Sequence, residues 1–262
     1  MHYATSISDL QPNCTEEPAP APFTFSICGH SERCNELIAR REHLLVGISP
    51  FNSRFSTEYV SSLLAWASAG FRRVDVLLPD EESAALLLIA TGVSQTKALR
   101  KARKELRRHR RSPEHILDAR GNATSLTRII DFSDYFHDER YLKMRSAAQN
   151  AFENCRAFRD ACLCMSRQAL ERRTQTTGTC MLLSADADVH LASSYVLAEM
   201  PFYLCSAELL GTDCSVLAYH RPWPIGNALL SGEFPLSVDG RQGHGIVSVG
   251  AAIDLKRVHR LS

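Results

Sequence analysis

The sequence has no apolar run long enough to cross a bilayer. Its longest, Ala84–Ala90, has 7 residues, whereas a spanning helix needs about 20. The first stretch has no apolar segment of the secretory kind and carries Pro12, Pro18, Pro20 and Pro22, so residues 1–34 are expected to be a disordered tail ahead of a single domain over residues 35–258. No C-x-x-C occurs among the 9 cysteines. Their number is odd and their spacing irregular, and Cys162 and Cys164 stand too close together for a zinc knuckle. Reduced, mostly buried thiols in a cytoplasm are the expectation, with a disulfide framework the lesser alternative. Neither G-x-x-x-x-G-K-[ST] nor G-x-G-x-x-G is present, which removes the usual nucleotide loops. G-x-S-x-G is missing too, which removes the hydrolase elbow. No metal and no cofactor are expected.

What is present suits one large α/β domain or two small ones. The chain has 262 residues, 45% of them apolar, so a sizeable core is available. Leu44–Ile48 is a continuous apolar run, as in a parallel strand buried on both faces. Ser56 then reads as a helix N-cap, with Glu58 in the first turn, Val60, Leu63, Leu64 and Trp66 at near-helical spacing, and Gly70 as the stop. Arg73–Leu78 is the next strand, closed by Pro79, and Thr91-Gly92 breaks the chain. A basic helix follows over residues 94–111, stopped by Ser112-Pro113. Ile116–Ala119 reads as a short strand, residues 138–173 as helix in more than one piece, and Cys180–Ser184 as strand. Asp188–Glu199 reads as a helix ended by Met200-Pro201. Val216–Tyr219 is a strand, Pro224–Ser231 a helix and Gly245–Val249 a last strand. Such alternation predicts a Rossmann-like three-layer sandwich with a mostly parallel central sheet. Sites in these sheets lie beyond the carboxyl ends of strands, where Ser49 and Tyr219 fall.

Four groups of residues carry chemistry. Ser49, at a strand-to-loop junction, is either an exposed nucleophile or a turn serine bonded to its own backbone. Tyr195 and Glu199 are four apart and share a helical face, so they form either a site for an ammonium group or a proton, or a surface pair beside the core. Tyr219 and His220 close a strand and point to opposite faces, as site residues or as an ordinary strand end. The fourth group is the basic run. Between Lys97 and Arg111 there are 9 Lys or Arg against one Glu, in a chain of net charge +1, which leaves the rest acidic. Lys97, Arg100, Lys101, Lys104, Arg107, Arg108 and Arg111 form one stripe. Like charges at i, i+3 and i+4 cost an isolated helix about 0.2–0.5 kcal/mol per pair, so a phosphate backbone, and RNA in particular, is the natural counterpart. A solvated face is the plain alternative. A membrane surface is disfavoured because the apolar stripe for interfacial binding is missing.

In order along the chain, "HLLVGIS", "NSRFS", "LLAWA", the basic helix, the tyrosine of "ERYLKMR", "YVLAEMP" and "SVLAYH" resemble the cyclodipeptide synthases over most of residues 43–234. Asn52, Tyr219 and His220 together look like the subfamily named for Asn, Tyr and His. The resemblance implies a fold similar to the catalytic domain of class I tyrosyl- and tryptophanyl-tRNA synthetases without their ATP motifs. It implies an aminoacyltransferase, acting as a cytoplasmic monomer, that joins the amino acids of two aminoacyl-tRNAs into a cyclic dipeptide (a 2,5-diketopiperazine).

By that resemblance Ser49 is the nucleophile of a ping-pong route through an aminoacyl-enzyme and a dipeptidyl-enzyme. Tyr195 and Glu199 hold the first α-amino group, Tyr141 lines the site, Tyr219 relays a proton in cyclisation, and Asn52 and His220 support the centre. The tRNA acceptor stem would lie on the basic helix, with Arg107, Arg108, Arg110 and Arg111 foremost, then Lys97, Arg100, Lys101 and Lys104. Leu45, Gly47, Leu77, Phe132, Phe202 and Leu217 would line the first amino-acid pocket. None is polar, and two phenylalanines narrow it, so Leu, Ile or Met is expected there rather than Trp. One methylene discriminates by only about 1–3 kcal/mol, so mixed products are expected. Met165, with Arg172 nearby, would belong to the second pocket. Two rivals remain: a non-catalytic synthetase-like module that only holds tRNA, and a serine hydrolase of small esters.

Overall fold

Parallel strands buried on both faces need helices above and below, and the computed structural model supplies them. It describes residues 23–119, 127–177 and 186–251. The strands are β1 (Phe23–Gly29), β2 (His43–Gly47), β3 (Arg73–Leu78), β4 (Thr127–Asp131), β5 (Ser215–Tyr219) and β6 (Gln242–Ala251). They form one six-stranded sheet in the order β1-β6-β5-β2-β3-β4. Every pairing is parallel except β1 with β6. The helices are α1 (Glu32–Ala39), α2 (Thr57–Gly70), α3 (Glu81–Ile89), α4 (Gln95–Ala119), α5 (Glu139–Asn154), α6 (Arg156–Thr177), α7 (Asp186–Leu210) and α8 (Gly226–Leu230), with a 3-10 turn at Phe132–Tyr135.

Successive strand residues face opposite layers. Leu44, Val46, Val74, Val76 and Val216 join the core under α1, α2 and α4. Leu45, Leu77 and Leu217 join the core under α5, α6 and α7. This is the expected three-layer arrangement. Ser56 does cap α2, its side chain accepting the Tyr59 N–H.

Several boundaries differ from expectation. Residues 23–34 are not tail: Phe23, Phe25 and Ile27 alternate along edge strand β1, and Phe25 packs on Tyr59 and Trp66. Ser31 then caps α1. Residues 1–22 and 252–258 lie outside the described residues. Helix α4 runs through Pro113, giving up the one bond that a proline cannot donate, and it takes in Ile116–Ala119, which are therefore not strand,. Helix α7 likewise runs past Met200-Pro201. Its regular geometry fails only at Cys205 (φ −152°, ψ 39°). Carbonyls released there find other donors: the Cys205 thiol bonds Pro201 O at 3.3 Å, His244 Nε2 bonds Tyr203 O at 2.8 Å and Asp239 N bonds Leu204 O at 2.8 Å. The expected strand at Cys180–Ser184 lies outside the described residues. The 7 described cysteines are free thiols, with Cys34, Cys162, Cys205 and Cys214 buried. No helix among the described residues is long and apolar enough to cross a membrane.

At the amino-terminal edge of the sheet a polar chain replaces apolar packing. Asp75, fully buried on β3, accepts from the Arg73 guanidinium at 2.6 Å, the Arg128 backbone at 3.0 Å and its guanidinium at 3.2 Å, and it faces His43 Nε2 at 3.3 Å. His43 Nδ1 meets Ser215 Oγ at 2.8 Å, and Ser206 Oγ donates to Ser215 Oγ at 2.8 Å. Side chains from β2, β3 and β5 are thereby locked in one register. Removing the carboxylate would leave buried donors without an acceptor. Asp75→Ala is expected to lower the unfolding free energy by roughly 3 kcal/mol in urea titrations, against roughly 1 kcal/mol for Ser206→Ala.

Candidate active site

The carboxyl edge of the sheet is built differently. The register Leu45↔Leu217 and Val46↔Ala218 between β2 and β5 brings Gly47 beside Tyr219. A Cβ at position 47 would overlap the Tyr219 ring, coming within 2.6 Å of its hydroxyl oxygen. Glycine is required here by close approach and not by backbone angle. The ring therefore lies across β2 and points at α7, where its hydroxyl donates to Glu199 Oε1.

Tyr195 and Glu199 are both buried, so the surface-pair alternative is overturned. Burial raises the Glu199 carboxyl to about 7, and the Tyr219 hydroxyl pulls in the opposite direction,. Burial, and the Glu199 charge after it, pushes the Tyr195 and Tyr219 phenols well above their ordinary range. Both stay protonated and able to donate.

Ser49 lies two residues past Gly47, half-buried at the same edge. In the loop that follows, Phe51 adopts φ 63°, a left-handed conformation unusual for a bulky side chain. Asn52 accepts the Arg54 N–H at 3.1 Å, and its amide donates to His220 Nε2 at 3.1 Å. The loop after β2 is thus tied to the residue after β5. Phe55 supports the imidazole edge-on at 5.2 Å.

Leu45, Leu77, Phe132, Phe202 and Leu217 come together in the core beside this centre. Phe132 stacks on Phe202 at 5.7 Å and approaches Tyr195 at 5.9 Å. Gly47 presents no wall of its own, because Tyr219 fills that space. Met165 is half-buried on α6 against the same cluster; the Arg172 side chain lies outside the described residues. Tyr141 is fully buried, and its hydroxyl donates to Ala198 O at 2.9 Å. It braces α7 next to Glu199, and burial raises its phenol to about 12.

On α4, Ala98, Ala102, Leu106 and His109 are buried. Lys97, Arg100, Lys101, Lys104, Arg107 and Arg111 face solvent. Two of the expected phosphate ligands already have partners. Arg108 donates to Glu105 at 2.6 Å, and Arg110 donates to Asp131. His109 and Arg108 together hold the Glu105 carboxyl down at about 2.

Sequence reasoning missed a stack behind Tyr219. Tyr203 lies parallel to it at 5.6 Å, and Trp223 covers the far side of Tyr203. The signal was available: Tyr203 follows Glu199 by four, on the face already marked by Tyr195. Pro201 had cut the helix short in that reading.

The family model for cyclodipeptide synthase matches residues 25–249. A cyclo(L-leucyl-L-leucyl) synthase of Photorhabdus laumondii is 40% identical over 225 residues, covering 86% of this chain and 96% of that protein. One from Bacillus subtilis is 42% identical over 217 residues, covering 83% of this chain and 86% of that protein. The crystal structure of a cyclodipeptide synthase from Bacillus thermoamylovorans superposes with a TM-score of 0.81 at 39% identity, covering 86% of this chain and 96% of that one.

Two outcomes test this geometry. Gly47→Ala is expected to fold yet to drive the Tyr219 ring off Glu199, visible in a crystal structure as a broken hydroxyl–carboxylate contact. The Glu199 carboxyl rises from its ordinary 4.5 to about 7 on folding, so the folded state binds its proton more tightly than the unfolded chain. Its contribution to stability is therefore full below about 4.5 and declines as pH rises to about 7. Glu199→Gln should remove that slope from stability measured between pH 4.5 and 8.

Proposed function

The chain belongs to the cyclodipeptide synthase family, and from that premise we propose that it joins two aminoacyl groups, delivered as tRNA esters, through covalent intermediates on Ser49. Ser49 Oγ attacks the carbonyl carbon of the first aminoacyl ester. The bond to the tRNA ribose breaks, the tRNA leaves as the alcohol, and an aminoacyl-enzyme ester remains. The free amine of that ester attacks the second aminoacyl-tRNA, forming a peptide bond and releasing the second tRNA. The new terminal amine then attacks the Ser49 ester carbonyl. The second peptide bond closes the ring, and Ser49 is returned as the alcohol. Both esters arrive activated, so no nucleotide is consumed.

The observation that carries this reading is the buried pair on α7, Tyr195 and Glu199, facing Tyr219 at the strand edge where Ser49 lies. A carboxylate in a desolvated pocket is a partner for an ammonium ion, and its charge would fix the first amino group away from the reacting carbonyl. The same carboxyl, with a pKa of about 7, would take that proton when the amine must act as a nucleophile. Tyr219 can donate and accept at one oxygen, which suits transfer between amine and serine oxygen during cyclisation. Asn52 and His220 would hold the Ser49 loop in place. Apolar Leu45, Leu77, Phe132, Phe202 and Leu217 favour a leucine-sized side chain, as do the two relatives that make cyclo(L-leucyl-L-leucyl). The exposed stripe on α4 would hold acceptor-stem phosphates, which position the ligand without reading sequence. The site of action would be the cytoplasm, where aminoacyl-tRNA is found.

The test is mass spectrometry of culture medium after expression in a bacterial host. Cyclo(Leu-Leu) is expected as the main product, with Leu–Ile or Leu–Met products beside it. Ser49→Ala should cut the yield by roughly a thousandfold or more while the protein still binds tRNA. Undiminished product from that variant would rule out the covalent route.

A further inference from the structure

Of the nine basic residues between Lys97 and Arg111, two fall off the phosphate-facing stripe: Arg103 and Arg110. They are seven apart, so two turns of helix put them on one face. They flank the buried face of Ala98, Ala102, Leu106 and His109, and each reaches a carboxylate on a neighbouring element. Arg103 donates to both oxygens of Glu81 on α3 at 3.0 Å. Arg110 reaches across to Asp131, the last residue of β4.

Asp131 is already occupied on its other side. It caps the 3-10 turn: its Oδ1 accepts from the Ser133 N–H at 2.8 Å, and its own N–H donates to Asp134 at 2.8 Å. The first residue of that turn is Phe132, fully buried, stacked on Phe202 and close to Tyr195. Tyr135, its last, sits edge-on to Phe202 at 5.2 Å. One carboxylate therefore joins the basic helix to the turn that carries Phe132 into the apolar cluster expected to form the first amino-acid pocket.

We propose that Arg110 is not a tRNA ligand but a positioning residue: with Asp131 it braces the turn that carries Phe132, ties the seating of α4 to the shape of the first amino-acid pocket, and so sets selectivity for the side chain. The proposal rests on the functional reading above. The Arg110 side chain is 37% exposed and that of Asp131 13%, so the bridge is partly sheltered from competing salt. Loss of the guanidinium would leave the cap intact and free the turn from α4. Phe132 could then retreat, and the pocket would admit a larger side chain.

The experiment uses the full chain and the variants Arg110→Ala, Asp131→Asn and the two combined, with Arg107→Ala as the stripe control. Affinity for deacylated leucine tRNA is measured by fluorescence anisotropy. Selectivity is the ratio of leucine to phenylalanine in the cyclic products when both aminoacyl-tRNAs are supplied together. Asp131→Asn keeps an acceptor for Ser133 and serves if Arg110→Ala does not fold. Expected are tRNA affinity within about twofold of wild type for the bridge variants, a leucine preference lowered about fivefold or more, and a double variant no worse than the worse single one, since both break one interaction. Arg107→Ala should do the reverse, weakening tRNA binding at unchanged product ratio. An unchanged ratio in Arg110→Ala overturns the proposal, as does a loss of tRNA affinity equal to that of Arg107→Ala. If wild type makes no cyclic dipeptide, the functional reading itself fails, which is a separate outcome from an active wild type with insensitive variants.

Discussion

The position of the Tyr219 ring depends on an atom that is missing from Gly47. Two parallel strands side by side normally fill the space above them with side chains from both. Here β2 gives up its share, and the phenol of β5 occupies it. Tyr203 and Trp223 close the stack from behind, so the hydroxyl has one direction left, toward Glu199. The period of two along a strand then arranges the rest. Two residues before Gly47 is Leu45, two residues before Tyr219 is Leu217, and Leu77 lies on the neighbouring strand, all in the same buried cluster. An apolar cluster one step below a polar centre is the direct result of alternation in a sheet covered on both faces.

A buried carboxylate lies at each edge of the sheet, Asp75 on β3 and Glu199 on α7, and their surroundings are opposite. Asp75 is met by two arginines and a histidine. Its charge is compensated several times over, so the strands around it are held together by it. Glu199 has a tyrosine hydroxyl and no cationic partner among the described residues, so desolvation dominates and its carboxyl titrates near 7. Holding it ionised at neutral pH costs roughly 3 kcal/mol relative to water. On the proposed reading, the ammonium group of a bound substrate would offset that cost. Asp75 is saturated with positive charge while Glu199 is left without it, and the proposed ammonium-binding role of Glu199 rests on that contrast.

Where the sequence was legible, local physics decided. The apolar run of β2, the Ser56 cap and the strand β3 needed no tertiary information, and the parallel order put Ser49 and Tyr219 at one edge. The misreadings have equally local causes. Pro113 and Pro201 were read as stops, yet a long helix packed on a sheet can forgo one hydrogen bond. In α7 the kink at Cys205 has its freed carbonyls taken by a thiol, an imidazole and a distant amide, none of which a helical pattern reveals. Helix α3 shows no period because it contributes Leu87 to one core and Leu88 to the other. Strand β1 alternates as a strand should, but it directly follows a proline-rich stretch whose composition masks its start. The Asp131 partner of Arg110 is 21 residues away, so a helical pattern alone does not reveal it.

The composition of α4 is understandable only when its two sides are separated. Six exposed cations on one side repel one another and gain nothing from the fold. On the other side Ala98, Ala102 and Leu106 bury the helix against α2 and its core, while Arg103 and Arg110 anchor it to α3 and β4 through carboxylates. Apart from Arg108, which pairs with Glu105, the anchoring spares the stripe from holding the helix through its own exposed charges. The stripe from Lys97 to Arg111 covers about 21 Å at 1.5 Å per residue, enough to follow several successive phosphates along a duplex. On the proposed reading, a one-sided cationic helix seated by its opposite face would set a nucleic acid in a fixed relation to the strand edge, which a flexible basic tail of the same composition would not do.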